Sequence, residues 1–340
     1  MRAVVLVGGF GTRLRPLTLT TPKQMLPILH KPMIEHVLEH LAHHGITEAV
    51  LSMGYRPDAF ADAYPDGRCA GVALHYAIEP EPLDTAGAIR FAADHAGIDD
   101  RFVVVNGDVL TDLDIGALVA FHDSHGGEGT IALHQVDDPS AFGVVPTEAD
   151  GRVIAFVEKP SREDAPTDLI NAGTYVLEAS ILGRIATDRK VSIEREVFPA
   201  MVADQALYAM SGNTYWIDTG TPIKYLQAQL DLLDGVRGEP AQGVHPTATV
   251  SPEAKVLRSV IGAGAVVEAG AQVRDAVLLP DARVGAGAVV ERAVLGRGAE
   301  VGADARVDDL AVLGDRATVG PHLRVSGGSV GVDEHIETGS

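Results

Sequence analysis

The final third of this 340-residue chain carries a short repeat that excludes most folds. Beyond residue 243 the chain contains no Phe, Trp or Tyr, and apolar residues recur every six positions with occasional slips of one residue. A period of six matches neither the turn of an α-helix nor the alternation of one long strand. It favours a stack of coils made of very short strands, with one apolar residue per strand turned inward and small residues at the corners. The inward positions predicted by this pattern are Val244, Val250, Val256, Ile261, Val267, Val273, Leu279, Val284, Val290, Val301, Val307, Leu313, Val319 and Val325.

This pattern resembles the hexapeptide repeat of the left-handed β-helix, in which one face of the prism commonly mediates subunit contacts. The resemblance implies a β-helix domain over residues 244–340 and a homo-oligomer that assembles through it. A polar stretch containing Gly and Pro, residues 234–243, precedes the repeat and is predicted to be a linker. Residues 1–233 are then predicted to form a separate domain.

Residues 1–233 alternate short β-rich runs with helical patterns, which predicts a Rossmann-like, mostly parallel sheet covered by helices. The first helix is predicted to begin at Pro32 and to end at Gly45. The other predicted helices are Thr85–His95, Ile115–His125, Glu194–Ala203 and Pro222–Leu233. The predicted strands are Ala3–Val7, Glu48–Met53, Leu74–Ile78 and Phe102–Val105. The fold class is therefore α/β, followed by the β-helix.

The charge and the single cysteine limit the partners and the compartment. A formal net charge of −20 disfavours nucleic acid or an anionic membrane surface as a partner, because both are polyanions. Cys69 is the only cysteine of the sequence, which excludes an internal disulfide and is typical of a reducing compartment. The apolar run Ala3–Val7 is too short for a signal sequence or a membrane span, so we expect a cytoplasmic protein.

A glycine-rich loop directly follows the first predicted strand. Gly8, Gly9 and Gly11 let backbone amides approach phosphate oxygens closely, because no Cβ stands in the way. The spacing fits neither the Rossmann fingerprint, which needs a further glycine, nor a P-loop, which ends in Gly-Lys-Ser or Gly-Lys-Thr. Arg13 and Lys23 add two cations beside this loop. The segment is therefore predicted to bind a phosphorylated ligand rather than only to make a tight turn.

With these residues the sequence resembles the nucleotide-sugar pyrophosphorylases, also called sugar-1-phosphate nucleotidylyltransferases. Their N-terminal signature, Gly-Gly-x-Gly-Thr-Arg-Leu followed by Pro-Lys, matches residues 8–14 and 22–23. Further segments of the family follow in the family's order, which favours function over isolated turns. These segments are Glu79–Gly87 (the base loop), Asn106–Asp108, Phe142–Val145, Glu158–Pro160, Asn171–Gly173 and Trp216–Gly220. Residues 192–199 and the hexapeptide tail are most similar to the GDP-mannose pyrophosphorylases of the family.

The resemblance implies that residues 1–233 join a nucleoside triphosphate to a sugar 1-phosphate and release pyrophosphate. Two anions must meet, so the site has to neutralise their charge before it can orient them. The implied catalytic residues are Arg13 and Lys23, on the triphosphate, and Lys159, on the attacking sugar phosphate. The implied cofactor is Mg²⁺, held by Asp108 and Asp218. The implied nucleotide-binding residues are Leu6, Gly8, Gly9, Gly11, Thr12, Arg13, Lys23, Glu79, Asp84 and Thr85, and the implied sugar-phosphate-binding residues are Asn106, Gly143, Glu158, Lys159 and Asn171.

Two positions depart from the family pattern. Asp84 replaces a glycine of the base loop, and its carboxylate is a candidate acceptor for the N1–H and amino groups of guanine. Asp tolerates unusual backbone angles better than most residues, so we expect the turn to survive. Gln24 stands where many relatives have proline, which affects how Lys23 is held. Neither change removes a charge that the chemistry needs.

The residues leave several functions open. The best match is an enzyme that makes GDP-mannose from GTP and mannose 1-phosphate, and the alternatives are glucose or cyclitol 1-phosphate with UTP, dTTP or ATP. A non-catalytic subunit that senses nucleotide sugars is expected to have lost Arg13, Lys23 or a metal aspartate, and all are present. Acyl transfer, common among hexapeptide β-helices, is disfavoured because no long loop of the repeat carries an evident catalytic histidine. Its nominal candidates are His245, His322 and His335.

Overall fold

The computed structural model describes residues 1–337, so the end of the predicted 244–340 domain lies outside the described part. The chain divides into two compact units. The first contains residues 1–9 and 34–216, and the second contains residues 10–33 together with the chain from residue 217 onward. The segment 10–33, which carries Arg13 and Lys23, thus belongs to the same unit as the repeat. The sequence boundaries at residues 233 and 244 stay a prediction.

Short strands and helices alternate through the first 233 residues. The strands are β1 (Arg2–Leu6), β2 (Pro27–Ile28), β3 (Lys31–Pro32), β4 (Glu48–Met53), β5 (Arg68–Cys69), β6 (Val72–Ile78), β7 (Phe102–Asn106), β8 (Val109–Thr111), β9 (Gly129–Gln135), β10 (Gly143–Val144), β11 (Val157–Glu158), β12 (Leu169–Leu177), β13 (Leu207–Ser211) and β14 (Trp216–Asp218). The helices are α1 (Met33–His43), α2 (Asp58–Ala63), α3 (Asp84–His95), α4 (Ile115–His125), α5 (Phe198–Ala203) and α6 (Pro222–Leu233). Short 3-10 turns cover Thr12–Leu14, Leu17–Leu19, Lys23–Met25 and Ala179–Arg184, and a π-helical turn covers Ile193–Val197. No helix of the described part is long and apolar enough to cross a bilayer.

Most predicted elements are confirmed. The elements β4, α4 and α6 have the predicted bounds, and the other predicted strands and helices shift by a residue or two. The exception is the helix predicted over Glu194–Ala203, which is divided into the π-helical turn and α5. Pro199 explains the division, because a proline has no N–H to donate and is tolerated only in the first turn of a helix.

One mixed sheet organises the first unit. Its strand order is β11–β10–β12–β7–β1–β4–β6–β5, and β9 pairs with both β12 and β13. The central strand β1 is parallel to β4 and to β7, with Val4 opposite Val50 and Val104. The chain leaves β1 toward β4 on one side and later returns on the other side as β7. The carboxyl ends of β1 and β7 therefore form a topological switch point, where open α/β sheets bind their ligands.

The sheet is buried on both faces. Ala3, Val4 and Val5 of β1 are fully buried, as is typical of a parallel strand covered by helices on both sides. A core cluster of this unit joins the strands to α3 through Ile89 and to α5 through Phe198. This packing fixes the loops that leave the carboxyl edge of the sheet.

The repeat forms a parallel β-helix within the described residues, as predicted. Its strands are β15 (Thr249–Val250), β16 (Lys255–Leu257), β17 (Val260–Ile261), β18 (Val266–Val267), β19 (Gln272–Arg274), β20 (Val277–Leu278), β21 (Arg283–Val284), β22 (Val289–Glu291), β23 (Val294–Leu295), β24 (Glu300–Val301), β25 (Arg306–Asp308), β26 (Val312–Leu313), β27 (Thr318–Val319), β28 (Arg324–Ser326), β29 (Ser329–Val330) and β30 (His335–Ile336). Every third strand belongs to the same sheet, so three parallel sheets form the sides of a prism.

The coil length explains the slips in the sequence period. Equivalent residues of successive coils are usually 17 apart, as for Thr247 and Gly264, and 18 apart for Arg297 and Asp315. One side of a 17-residue coil has five residues instead of six, so the inward position moves by one. The prediction for Leu279 is wrong for this reason, because Leu278 is the residue that packs into the interior of the prism.

One of the three prism sheets is buried on both faces over its first four strands. This sheet contains β17, β20, β23, β26 and β29. Its outward residues Val260, Val277, Val294 and Val312 are at most 2% exposed, although strand side chains alternate between faces. Part of its cover comes from the segment 10–33: side chains of this segment and of the coils line a cavity of about 40 Å³. The lining residues are Pro27, Leu29, His30, His245, Gly262, Ala263, Leu278, Leu279 and Pro280.

Helix α6 holds the far end of the segment 10–33. Tyr225 Oη and Gln229 Nε2 both donate to Pro27 O, at 2.5 and 2.8 Å. Leu29 N donates to Gln229 Oε1 at 2.5 Å. Burial raises the pKa of Tyr225 well above its usual value, so its hydroxyl stays a donor. The hairpin of β2 and β3 is therefore anchored to α6 by buried hydrogen bonds.

Candidate active site

The glycine loop after β1 is bordered by the carboxylate of Glu79. A Cβ at Gly8 would lie 3.4 Å from Glu79 Oε1, whereas one at Gly9 would have no neighbour within 4 Å. Glu79 is itself held, since Ser52 Oγ donates to Oε1 at 3.0 Å and Leu83 N donates to Oε2 at 3.1 Å. Through these hydrogen bonds Glu79 links β4 to the base loop. Its contact with a nucleotide stays a prediction.

The base loop enters α3 through an unusual backbone conformation at Asp84. Its φ of 62° lies in the left-handed region, so the expectation that Asp preserves the turn is confirmed. The exposed side chain accepts from Thr85 N at 2.8 Å. Thr85 Oγ1 donates to Glu194 Oε2 at 2.7 Å and accepts from Ile193 N at 2.9 Å. Thr85 thus ties the base loop to the π-helical turn, and Asp84 presents a carboxylate to solvent.

The turn after β7 lies directly beside the glycine loop. Leu6 is opposite Asn106 in the sheet, and Gly107 N donates to Leu6 O at 2.9 Å. A Cβ at Gly107 would lie 2.7 Å from Val7 Cγ1, so only glycine fits there. This close approach puts the half-buried Asp108 at the switch point, next to the loop that is predicted to bind phosphate.

A bulge in β12 brings two predicted sugar-phosphate residues together. The register shifts between Asn171 and Tyr175, and Gly173 adopts a φ of 75°. A Cβ at Gly173 would lie 2.5 Å from Asn106 Nδ2. Asn171 accepts from Gly173 N at 2.9 Å and donates to Tyr175 Oη at 2.8 Å. The bulge therefore sets the positions of both Asn106 and Asn171.

The pairing of β10 with β11 presents Lys159 at the edge of the sheet. Gly143 is opposite Glu158, and a Cβ at Gly143 would lie 2.5 Å from Phe156 Cζ. Lys159 adopts a φ of 49°, and its Nζ lies 2.9 Å from Glu158 Oε1. The lysine side chain is 58% exposed. An exposed pair of this kind is worth little, so Lys159 can turn to a ligand at small cost.

Three aromatic rings that have no predicted role in the site lie beside the bulge. Trp216 Nε1 donates to Ala172 O at 2.9 Å. The Trp216 ring lies 5.2 Å from the ring of His134 and 5.6 Å from that of Phe142. Burial lowers the pKa of His134, so its ring is neutral at neutral pH. The cluster joins three strands or loops far apart in sequence, and no local pattern signals it.

In the second unit, Asp218 forms ion pairs with Arg13 and Lys23, the two cations of the segment 10–33. Lys23 Nζ lies 3.5 Å from Asp218 Oδ1, and Arg13 Nη2 lies 3.7 Å from Asp218 Oδ2. The Lys23 side chain is only 7% exposed, whereas that of Arg13 is 61% exposed. A buried ammonium requires a paired carboxylate. The structure thus brings together residues 195 positions apart in sequence, and their roles toward the triphosphate and the metal stay predictions.

Two glycines shape this group. A Cβ at Gly220 would lie 2.6 Å from Arg13 Nη2, 2.8 Å from Asp218 Oδ1 and 3.0 Å from Lys23 Nζ. Gly11, at a φ of 59°, precedes the turn Thr12–Leu14, in which Thr12 is exposed. Sequence reasoning missed Gly220 as a site residue, because a glycine after an aspartate is an ordinary turn signal.

Gln24, the second departure from the family pattern, is buried in the same 3-10 turn as Lys23. It is 3% exposed, and its Oε1 has no hydrogen-bond partner among the described residues. Glutamine buries a polar side chain at this position, which the family's proline would not do.

Asp108 and Asp218 are the predicted metal ligands, one in each unit. Among the described residues no group of three or more His, Cys, Asp or Glu side chains could hold a metal. Mg²⁺ is usually held by one or two carboxylates together with substrate phosphate oxygens and waters. Asp218 fits this use, because it is 24% exposed and lies among cations that also attract phosphate. The donor set thus suits a metal that arrives with a nucleotide.

Comparison with known proteins covers both parts of the chain. Residues 2–235 match the family described as nucleotidyl transferase, and residues 239–338 match the one described as GMPPB C-terminal domain. The mannose-1-phosphate guanylyltransferase of Mycobacterium tuberculosis is 43% identical over 291 residues, covering 83% of this chain and 80% of that protein. The mannose-1-phosphate guanyltransferase of Schizosaccharomyces pombe is 37% identical over 348 residues, covering 97% of this chain and 95% of that protein.

Solved structures agree with the fold of the N-terminal part. HddC from Yersinia pseudotuberculosis is similar with a TM-score of 0.57 and 30% identity, covering 67% of this chain and 97% of that chain. HddC has also been solved in complex with GMP-PN, with the same TM-score and coverage.

Proposed function

The chain belongs to the nucleotidyl transferase family, and we propose that it joins GTP to mannose 1-phosphate to give GDP-mannose and pyrophosphate. A phosphate oxygen of mannose 1-phosphate attacks the α-phosphorus of GTP in line. The bond from the α-phosphorus to the oxygen shared with the β-phosphate breaks, and pyrophosphate leaves. The nucleophile is already ionised, so no side chain has to remove a proton.

The observation that carries this proposal is the group of Arg13, Lys23 and Asp218 around Gly220. Lys23 is a fixed, buried cation, and Arg13 is an exposed cation that can follow a ligand. Together they neutralise the triphosphate before reaction and the pyrophosphate charge that develops as the bond breaks. Lys159 leaves Glu158 to hold the phosphate of the sugar, which orients the attacking oxygen.

Enzymes of this family generally use a divalent metal ion. We assign Mg²⁺ to this chain, held by Asp108 and Asp218 with oxygens of the nucleotide. When bound, it withdraws charge from the phosphates and makes the α-phosphorus a better electrophile. Asp218 would then exchange part of its pairing with Arg13 for the metal, while Gly220 N keeps one carboxylate oxygen in place.

The choice of guanine is assigned to the base loop. Asp84 projects an exposed carboxylate from the first turn of α3, where it can accept from the N1–H and amino group of guanine. Adenine lacks this pair of donors. Glu79 and Thr85 hold the loop on either side of Asp84, so its position is defined before the base arrives.

The β-helix supports assembly in this proposal. One of its sheets is covered, so the remaining two, with outward residues such as Lys255 and Arg283, are the surfaces for a homo-oligomer. The acidic net charge disfavours polyanionic partners, and the lone Cys69 suits the cytoplasm.

Pyrophosphate release from defined substrate pairs tests the function. Purified protein is incubated with Mg²⁺ and GTP, ATP, UTP or dTTP, each paired with mannose 1-phosphate or glucose 1-phosphate, and a chelator replaces Mg²⁺ in the control. We expect strong release with GTP and mannose 1-phosphate and none with the chelator. Release with another pair would keep nucleotidyl transfer and overturn the specificity. Folded protein that is silent with every pair would overturn the proposed function.

A further inference from the structure

The β-helix contacts the segment 10–33 through a hydrogen bond between two residues that are 295 positions apart in sequence. Thr20 Oγ1 donates to Asp315 Oδ2 at 2.6 Å. The other oxygen of Asp315 accepts from Arg297 N at 2.9 Å. Asp315 is 5% exposed, so this is a nearly buried carboxylate on the corner of a coil. Burying a carboxylate is unfavourable unless donors compensate it, and Thr20 supplies one of them.

The coil itself does not require an acidic residue at this corner. Pro280, Arg297 and Asp315 are equivalent positions, because each accepts the same backbone hydrogen bond from the residue at the next corner. Proline and arginine serve in the two preceding coils. One oxygen of the Asp315 carboxylate accepts from the preceding coil at Arg297 N, and the other is matched to Thr20.

Thr20 lies in the segment 10–33, between the turn that contains Arg13 and the turn that contains Lys23. On one side, Thr18 Oγ1 donates to Gly11 O at 2.8 Å and so holds the loop that presents Arg13. On the other side, the 3-10 turn Lys23–Met25 begins only three residues after Thr20. A shift of Thr20 would move both the turn that contains Arg13 and the turn that contains Lys23, since only a few residues in short turns separate them.

We propose that Asp315 is a positioning residue for nucleotidyl transfer, acting through Thr20 on Arg13 and Lys23. The inference rests on the proposed function and extends it: the β-helix is part of the device that arranges the triphosphate cations, in addition to any role in assembly. Helix α6 anchors the segment at Pro27 and Leu29, and Asp315 anchors it at the end nearer the glycine loop.

The test removes each partner of the bond in the full-length protein. We expect Thr20→Val and Asp315→Ala each to lower kcat/KM for GTP about tenfold, the order expected for loss of a charge-assisted hydrogen bond. The KM for mannose 1-phosphate is expected to stay unchanged. Thr20→Ser keeps the hydroxyl and should restore the wild-type value. The double variant should be no worse than Asp315→Ala alone, because the bond that Thr20→Val removes is already lost in Asp315→Ala.

Asp333→Ala is the matched control. Asp333 is also a corner acid of the β-helix, but its partner is the exposed Arg316. We expect this variant to keep the wild-type kcat/KM for GTP. An equal loss in Asp333→Ala, no loss in Thr20→Val, or additive losses in the double variant would each overturn the inference.

Amide hydrogen exchange separates this inference from the proposed function. We expect faster exchange over residues 11–25 in Thr20→Val and Asp315→Ala than in the wild type or in Asp333→Ala. This readout needs no substrate, so it decides whether the bond holds the segment even if no substrate pair reacts. Unchanged exchange in both variants would overturn the positioning role whatever the activity.

Discussion

Lys23 and Lys159 are both assigned to phosphate groups, but the two regions hold them in opposite ways. Lys23 is 7% exposed and pairs with Asp218, 195 residues away in sequence. Lys159 is 58% exposed and pairs with its own neighbour, Glu158. The buried pair depends on the tertiary structure, and breaking it leaves an uncompensated charge. The exposed pair is local and contributes little to stability.

The difference separates two tasks of a transferase. A fixed cation such as Lys23 is arranged in advance for charge that develops in the transition state, which is the stronger form of catalysis. A loosely held cation such as Lys159 can capture and release a substrate phosphate at every turnover. Lys23 should therefore control the rate of transfer, and Lys159 should control the affinity for the sugar phosphate.

The largest effect is expected for Lys23→Met, which keeps the length of the side chain and removes the charge. We expect kcat/KM for GTP to fall about 10²–10³-fold, the range measured when one preorganised charge-stabilising group is removed. Lys159→Met is the matched comparison, and it should mainly raise the KM for mannose 1-phosphate. Steady-state kinetics with each substrate varied in turn checks both. Similar losses of kcat in the two variants would show that the contrast between the two lysines has no catalytic meaning.

A smaller effect is expected for Gly220→Ala, which tests the geometry of the group of Arg13, Lys23 and Asp218 without removing a charge. The new methyl group would displace the ends of Arg13, Lys23 and Asp218, so we expect about a tenfold or larger fall in kcat. The crowded atoms are ends of side chains, so the melting temperature should change little. Gly212→Ala is the control, because a Cβ there meets nothing within 4 Å. Wild-type kcat in Gly220→Ala would contradict the assigned arrangement.

The smallest effect is expected for Asp84→Gly. Glycine adopts a φ of 62° at no greater cost than aspartate. The free energy of unfolding should therefore change by no more than about 1 kcal/mol. We expect the preference for GTP over ATP to decrease, with little change in the rate with GTP at saturation. Competition assays with both nucleotides measure this preference. An unchanged preference would exclude Asp84 from base recognition without affecting the roles assigned to Arg13 and Lys23.

The sequence allowed most of the fold to be predicted, because local patterns carry it. Strand β4 and helix α4 follow from apolar periodicity and turn residues, and the β-helix follows from its period. The error at Leu279 arose where a side of the prism has five residues, a detail that the average period conceals.

The chemistry of the candidate site was predictable only as far as family motifs reach. The motifs indicated Arg13, Lys23 and Asp218, but only the fold shows that Asp218 pairs with both cations. Two features have no local signal at all: the crowding at Gly220, and the bond between Thr20 and Asp315. Each depends on residues that are distant in sequence, and the pattern of a single sequence does not reveal such pairs.

The segment 10–33 is made early but belongs to a unit that is completed late. During synthesis at about 5–20 residues per second, its partner α6 follows roughly 10–40 s later, and Asp315 emerges later still. The sheet strands made in this interval include β4, β6 and β7, which pair around β1 without the coils. A nascent chain would therefore pair β1 with β4 and β7 before Asp218 can reach Lys23, and the bond from Thr20 to Asp315 would form only near the end of translation.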